Sequence, residues 1–355
     1  MHDHTRALAL LKQGVVIPAT PLAITEDRAF DSKTQRLLMR YYLACGVGGI
    51  ATAVHSTQFA IRNPEYGLFE PVIRLVSEEI DAYEKKTGLC IVKICGACGP
   101  TGQAVREAKM AKSLGYDAVL LSPGGLDHLS EGELVERTEE VSEILPVIGF
   151  YLQSAVGGRV FSYGYWQKIA EIPNLVAIKC ASFNRYSTLE VMRAVASSSR
   201  SKEITMYTGN DDNIVADLLT VYEFLTPQGP IRKGFEGGLL GHWCVWAKPA
   251  VELLNSLKEA KKSGHIPSEL LSLGAAVTDM NAAVFDPKNN FAGCIPGIHE
   301  VLRRQGLFQN RLCLDTEEVL SAGQMEELDR VITAYPTLVD DSFIHENLAT
   351  WMQGL

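Results

Sequence analysis

Over the first 250 residues, short apolar runs alternate with stretches whose apolar positions recur every three or four residues. The runs are Gly14–Thr20, Gly48–Val54, Leu89–Cys95, Asp117–Ser122, Pro146–Tyr151, Leu175–Cys180 and Ile204–Thr208, with a weaker one inside Gly234–Leu240. Each is close to fully apolar, the pattern of a parallel strand covered on both faces. Between them, Leu37, Leu38, Tyr41, Ala44 and Cys45 follow helical spacing, as do Leu189, Met192, Val195 and Ala196. Glycines after Cys45 and Leu114 fall where a left-handed C-cap ends a helix. Asp31-Ser32 and Asp211-Asp212 read as helix starts. Eight strands with crossover helices predict an α/β fold, the (β/α)8 TIM barrel, which typically takes about 250 residues. A doubly wound open sheet is the alternative, but no G-x-G-x-x-G follows the first run. After Lys248-Pro249 the pattern is helical only: Pro249–Lys262, Pro267–Phe285, Pro296–Arg304, Thr316–Tyr335 and Asp340–Met352. The expected organisation is a lead-in over 1–13, a barrel carrying the active site over 14–248, and a C-terminal helical region over 249–355.

Composition narrows the class of function. Hydrophobic residues make up 46% and charged residues 21%, which fits a folded globular chain and not a disordered one. A net charge of −9 argues against a nucleic-acid partner. No run approaches the roughly 18 apolar residues of a membrane span. The apolar stretch Ala7–Leu11 is closed by Lys12, too early for a signal-peptide core. Eight cysteines in 355 residues are too few for a disulfide framework. Cys95-Gly-Ala-Cys98 has CxxC spacing but lacks a second pair or nearby histidines, so two thiols at a strand end are expected, not a redox or metal centre. The expectation is a cytoplasmic enzyme without a metal.

In a barrel of this kind chemistry sits at the C-terminal ends of strands and in the loops that follow. The sixth run, Leu175-Val176-Ala177-Ile178-Lys179-Cys180-Ala181-Ser182, embeds a lysine in an apolar strand. A charge there is expensive to bury, so the lysine pairs, snorkels or loses its proton, and a neutral amine attacks carbonyls to form an imine. The fifth run ends at Tyr151, which at a barrel mouth either exchanges protons or packs. The second ends in His55-Ser56-Thr57-Gln58, whose amides and hydroxyls suit a carboxylate, or form a solvated turn. The seventh ends in Gly209-Asn210-Asp211, where glycine permits close approach of a ligand, the plain alternative being an Asp helix cap.

Taken together, these residues resemble the dihydrodipicolinate synthase / N-acetylneuraminate lyase family of Schiff-base-forming class I aldolases and dehydratases. The resemblance runs from Gly14-Val15-Val16-Ile17-Pro18-Ala19-Thr20-Pro21 to the segments Phe291–Leu314 and Thr316–Ile332. Tyr151 and Lys179 are separated by 28 residues, the family's tyrosine-to-lysine spacing, and Ala177–Ser182 is similar to its G-I-K-x-x-S strand. Ser56-Thr57-Gln58 resembles the G-[ST]-T-G-E loop, and Thr208-Gly209-Asn210-Asp211 resembles S-G-D-D. The resemblance implies a carbon–carbon or carbon–oxygen lyase acting on pyruvate or a larger 2-oxo acid. Lys179 would form the covalent imine, so no cofactor is needed, and Tyr151 would shuttle protons. Thr57 would hold Tyr151, and Ser56, His55, Gly209 and Asn210 would surround the substrate. It also implies a homodimer or homotetramer, with a small 2-oxo acid as the only other partner and neither membrane nor nucleic acid.

Three departures argue against the lysine-pathway synthase itself. The family's P-Y-Y loop is Ser122-Pro123-Gly124-Gly125 here, so its relay tyrosine is missing. The arginine expected five residues after the tyrosine is Val156, with Arg159 three residues late. His55 replaces a glycine, either to supply proton transfer or to satisfy a loop hydrogen bond. Gly124-Gly125 removes bulk from the mouth, Asp127-His128 either contacts the second substrate or forms a polar surface loop, and Gly157-Gly158-Arg159 and Gly229–Trp246 are further segments placed to shape the entrance. The alternative reading is a catalytically impaired paralogue that binds a 2-oxo acid or regulates.

Overall fold

A computed structural model describes residues 2–226 and 229–355; Met1 of the expected lead-in and residues 227 and 228 of the expected barrel lie outside the described residues. The strands are β1 (Val16–Pro18), β2 (Gly49–Thr52), β3 (Val92–Ala97), β4 (Ala118–Leu121), β5 (Val147–Leu152), β6 (Leu175–Ala181), β7 (Thr205–Thr208), β8 (Val221–Thr226) and β9 (Gly229–Leu240). All but β8 lie parallel, in the order β1-β9-β7-β6-β5-β4-β3-β2. The ring closes from β2 to β1 through hydrogen bonds from Gly48 N to Val16 O (3.2 Å) and Thr20 N to Ala51 O (2.8 Å). The TIM barrel expected from the sequence is therefore the fold. The strands are continuously apolar because one face fills the barrel and the other packs under helices.

Local signals set the helix ends. Asp31 caps Ser32–Cys45 by accepting from Thr34 N, and Gly46 ends it in the left-handed conformation (φ 84°). The Asp211-Asp212 start is corrected: the helix there is Ile214–Leu219, with Asn213 before it. Asp211 does not cap it but accepts from His242 N (2.7 Å). The short strand expected within Gly234–Leu240 is the end of the longer β9, whose first half pairs antiparallel with β8, a strand absent from the sequence reading. Because β9 runs toward the mouth, this hairpin projects from the opposite end. The Gly229 end of that segment cannot shape the entrance; Gly241, at its far side, does.

Helix Ala247–Ser263 packs on β1 and on Ser32–Cys45 and completes the outer ring, so the barrel runs past the expected boundary at 248. Helices Glu269–Phe285, Cys294–Arg304, Gln324–Ala334 and Asp341–Trp351 follow; residues 316–323 of the expected Thr316–Tyr335 helix form turns and irregular chain. Side-chain hydrogen bonds tie this region to the barrel, Tyr41 and Gln58 among them. Tyr41 donates to Asp340 Oδ2 (2.7 Å), and Gln58 Oε1 accepts from Leu314 N (2.6 Å). No helix among the described residues is long and apolar enough to cross a membrane, and all eight cysteines are free.

The lead-in helix, His4–Gln13, covers the bottom of the barrel. His2 bridges two carboxylates there, with Nδ1 2.8 Å from Glu84 and Nε2 2.8 Å from the buried Asp117, which also accepts from His4 Nδ1 (2.7 Å). Burial opposes the charge on His2, but the hydrogen bonds to Asp117 and Glu84 outweigh it and raise its pKa above 6.5. A histidine whose folded pKa is raised stabilises the fold below the unfolded value, and that contribution fades as pH climbs through the folded one. Wild type should therefore melt well above His2→Ala at pH 6, with the gap narrowing at pH 8.5 in thermal melts of both proteins.

Candidate active site

Lys179 stands in β6 with its ammonium 4.5 Å from the ring centre of Phe150, its register partner in β5. It is 8% exposed and, among the described residues, forms neither a hydrogen bond nor an ion pair. Other lysines are handled differently: the buried Lys93 pairs with Asp81 and Ser77, and the half-buried Lys233 donates to two backbone carbonyls. Burial pushes the Lys179 pKa down, with the Asp211 carboxylate pulling the other way. Burial likewise pushes Asp211 up, opposed by the hydrogen bond from His242 N and the Lys179 charge. Both shifts favour neutral amine and neutral acid in the same cavity.

That cavity has a volume of about 60 Å³ at the C-terminal ends of the strands. Polar side chains His55, Ser56, Gln153 and Asp211 reach it beside Lys179. Gly209 lines it for a steric reason: a Cβ there would lie 2.5 Å from Lys179 Cε and 2.9 Å from the Ala181 Cβ. Ser56 donates its hydroxyl to Ala19 O. The backbone amides of His55 and Ser56 have no hydrogen-bond partner among the described residues, which leaves two donors for an anion. The His55 ring makes no hydrogen bond either, so the loop-bond alternative is not what is found. Its pKa is pushed down to about 4 by burial and the Lys179 charge, so it is neutral at pH 7.

Three sequence assignments need correction. Tyr151 does not face Lys179. The β5–β6 register is irregular: Val147 pairs with Leu175 but Ile148 with Ala177, and the skipped Val176 shifts all later pairs by one. A one-residue slip exchanges the two faces of a strand. Phe150 and Leu152 therefore line the cavity, whereas Tyr151 points outward and stacks on Trp166 with ring centres 5.3 Å apart. Thr57 does not hold Tyr151; its hydroxyl donates to Thr20 O (2.6 Å) and accepts from Val54 N (3.2 Å), fixing the loop. Asn210 does not line the cavity. Fully buried, it accepts from Phe183 N (3.0 Å) and donates to Asp217 (2.8 Å), so it is a positioning residue.

Sequence reasoning also missed the walls. Phe183, Phe285, Phe291, Cys294 and Ile298 close over the lysine, four of them from the C-terminal region. Cys294 and Ile298 share one helix face at i, i+4 spacing, a signal of burial but not of what is buried. Phe183 (φ 50°) and Phe291 (φ 65°) adopt left-handed backbone, at about 1–3 kcal/mol each, and their rings meet at 5.6 Å. Gly124, Gly125 and His128 line a separate cleft of about 790 Å³ with Arg62 and Arg106; it adjoins the lysine cavity at Val156.

No family model matches the chain. A stretch of 104 residues, 29% of this chain, is 35% identical to a protein described as a "Probable 5-dehydro-4-deoxyglucarate dehydratase" of Acinetobacter baumannii (strain AB307-0294). The match covers 32% of that protein, so the chain spans about a third of the length of the curated relatives it matches. Dihydrodipicolinate synthase from Oceanobacillus iheyensis aligns over 94% of this chain and all of its own, with a TM-score of 0.74 and 18% identity. N-acetylneuraminate lyase from Fusobacterium nucleatum, complexed with pyruvate, aligns over 91% and 97% of the two chains, with a TM-score of 0.69 and 15% identity. The likeness expected from the sequence holds at the level of the fold.

Because Tyr151 lies outside the cavity, Tyr151→Phe should leave imine trapping on Lys179 unchanged by mass spectrometry and cost about 1 kcal/mol or less of stability. Gly209→Ala, by contrast, should displace Lys179 and reduce trapping at least tenfold while circular dichroism stays native.

Proposed function

We propose that this chain, with the fold of dihydrodipicolinate synthase and N-acetylneuraminate lyase, is a lyase. It holds pyruvate or a larger 2-oxo acid as an imine on Lys179. A carbon–carbon or carbon–oxygen bond next to that imine is then made or broken. The observation that carries this reading is a buried lysine with no ion pair, facing a small cavity at the mouth of a barrel. Desolvation keeps part of the amine neutral near physiological pH, as nucleophilic attack on the 2-oxo carbonyl requires. The unpaired amides of His55 and Ser56 receive the carboxylate. The protonated imine draws electrons from C3, so the lysine is the electron sink and no metal or organic cofactor is called for.

Proton transfer falls to Asp211, in the place given to Tyr151 by the sequence. A carboxyl group raised by burial both donates and accepts near neutral pH, where general acid–base catalysis is most efficient. His55, neutral and unbonded, stands as a further acceptor at the cavity edge. The lysine-pathway synthase is not the reading, since the Tyr and Arg positions on which it depends are Gly124-Gly125 and Val156. A cytoplasmic homodimer or homotetramer goes with this proposal.

One observation favours the second reading, a paralogue that binds a 2-oxo acid without turning it over: Phe150, with no hydroxyl, occupies the register position opposite Lys179. Borohydride reduction in the presence of pyruvate, followed by peptide mapping, tests both. The expected result is one added mass on Lys179, absent in Lys179→Ala; no adduct on a folded protein sinks the imine. An adduct without turnover of any 2-oxo acid selects the binding protein. The labelling rate should rise with pH and level off below the range where an ordinary lysine titrates. Asp211→Asn should move that profile to lower pH, because the carboxylate raises the Lys179 pKa. It should also slow turnover by roughly 10²–10⁴ while labelling persists.

A further inference from the structure

The lysine cavity divides by chemistry. The polar side chains that reach it beside Lys179 are His55, Ser56, Gln153 and Asp211. Most of the remaining wall is carbon, with Phe150, Leu152, Val156, Phe183, Phe291 and Ile298 lining it. Among the described residues no arginine, and no lysine besides Lys179, lines the cavity. Arg159, the cation nearest in sequence to the missing arginine, is spent elsewhere: it donates to Leu129 O (2.7 Å) and lies 5.4 Å from the Phe161 ring. The cations of the adjoining cleft stand beyond Val156, and Arg62 there is engaged by Glu107, Ala53 O and Gly96 O.

A second carboxylate bound among these side chains would lose its water and meet no further cation, which is costly, and a run of hydroxyls would meet few partners, whereas an apolar group gains from the same burial. The two phenylalanines with left-handed backbone, Phe183 and Phe291, sharpen the point. Their conformation costs free energy, and what it achieves is an aromatic pair set against the cavity.

We propose that the carbon skeleton carried by the 2-oxo acid on Lys179 ends in an apolar group, aryl or branched alkyl, and that the aldehyde released or accepted is an apolar one. This rests on the imine reading above and names its substrate class. In the cleavage direction, a 4-hydroxy-2-oxo acid bound as the iminium gives up its C4 hydroxyl proton to the Asp211 carboxylate. The C3–C4 electron pair moves into the iminium to form the enamine, and the apolar aldehyde departs. The enamine is then protonated at C3, and water hydrolyses the resulting imine to release pyruvate. The assignment separates this chain from a dehydratase of a sugar diacid, whose second carboxylate would need a cation that this cavity lacks.

The test runs in two stages on the full chain. Borohydride trapping with pyruvate alone first establishes the imine. The enzyme with pyruvate is then given benzaldehyde, isobutyraldehyde, succinic semialdehyde or D-glyceraldehyde, and 4-hydroxy-2-oxo acid products are quantified by mass spectrometry against Lys179→Ala. The expected result is initial rates with benzaldehyde or isobutyraldehyde at least tenfold above those with the other two, all lost in Lys179→Ala. Comparable or faster condensation with succinic semialdehyde or glyceraldehyde overturns the apolar assignment and leaves the imine intact. Intact trapping with no condensation of either apolar aldehyde overturns it as well. Failure of the first stage overturns the imine reading itself, and with it the substrate class.

Discussion

The site depends on leaving one cation unpaired in a dry place. A buried ammonium without a counter-ion is among the more expensive things a fold can hold, and its usual fates are pairing or loss of the proton. Elsewhere amines find polar partners: the buried Lys93 reaches Asp81, and the half-buried Lys233 donates to carbonyl groups. Lys179 is set over the Phe150 ring, where the attraction between cation and ring is too weak to fix the proton. Several nearby choices then follow. Residue 209 has no side chain because a Cβ would occupy the path of the lysine. Asp211 is held toward His242 N and makes no ion pair with the amine, so it modulates the lysine without neutralising it. Phe183 is kept in a costly conformation by Asn210, which accepts its N–H while fully buried itself.

That last chain of contacts links fold to site. Asn210 donates to Asp217, which also accepts from Thr208 and Arg185, so the ends of β6 and β7 and the helix after β7 share one hydrogen-bond network. Networks of this kind hold a strained segment only while every member is satisfied. On the opposite side, Gln58 (φ 65°) turns the loop after β2 and reaches Leu314, tying the His55–Ser56 amides to the C-terminal region that supplies Phe291 and Ile298. The helices beyond the barrel are thus part of the site and not an appendage to it.

The barrel was legible because its strands are apolar on both faces and its helices carry their stops in sequence, as at Gly46. Lys179 was legible for a related reason, since a charge inside such a run stands out. Tyr151 misled, because residue spacing counts positions along the chain while facing is set by register. One unpaired valine, Val176, converts the spacing that would place Tyr151 beside Lys179 into one that places Phe150 there. Nothing local to Val176 marks it as the skipped residue. Asn210 and Thr57 were read as contacts because polar residues at strand ends are as suited to holding a loop as to holding a ligand. The phenylalanine wall was hidden in segments whose apolar pattern says only that they are buried.

In the lyase proposed above, a phenylalanine in place of a phenol beside the lysine shifts the burden of proton transfer rather than removing it. Imine formation, carbon–carbon cleavage and hydrolysis would each move a proton at or near the amine, and the carrier would have to be one of the few polar groups that line the cavity. His55 is held neutral and its pKa sits far below neutrality, so it accepts a proton only at a cost. Ser56 is committed to Ala19 O. Asp211 is the cavity's carboxyl group, and burial has moved its pKa up toward neutrality beside an amine that burial has moved down. An acid and an amine displaced toward each other in this way exchange a proton with little driving force in either direction. A reversible cleavage needs that property, because the same group must take the hydroxyl proton on the way out and return it on the way in.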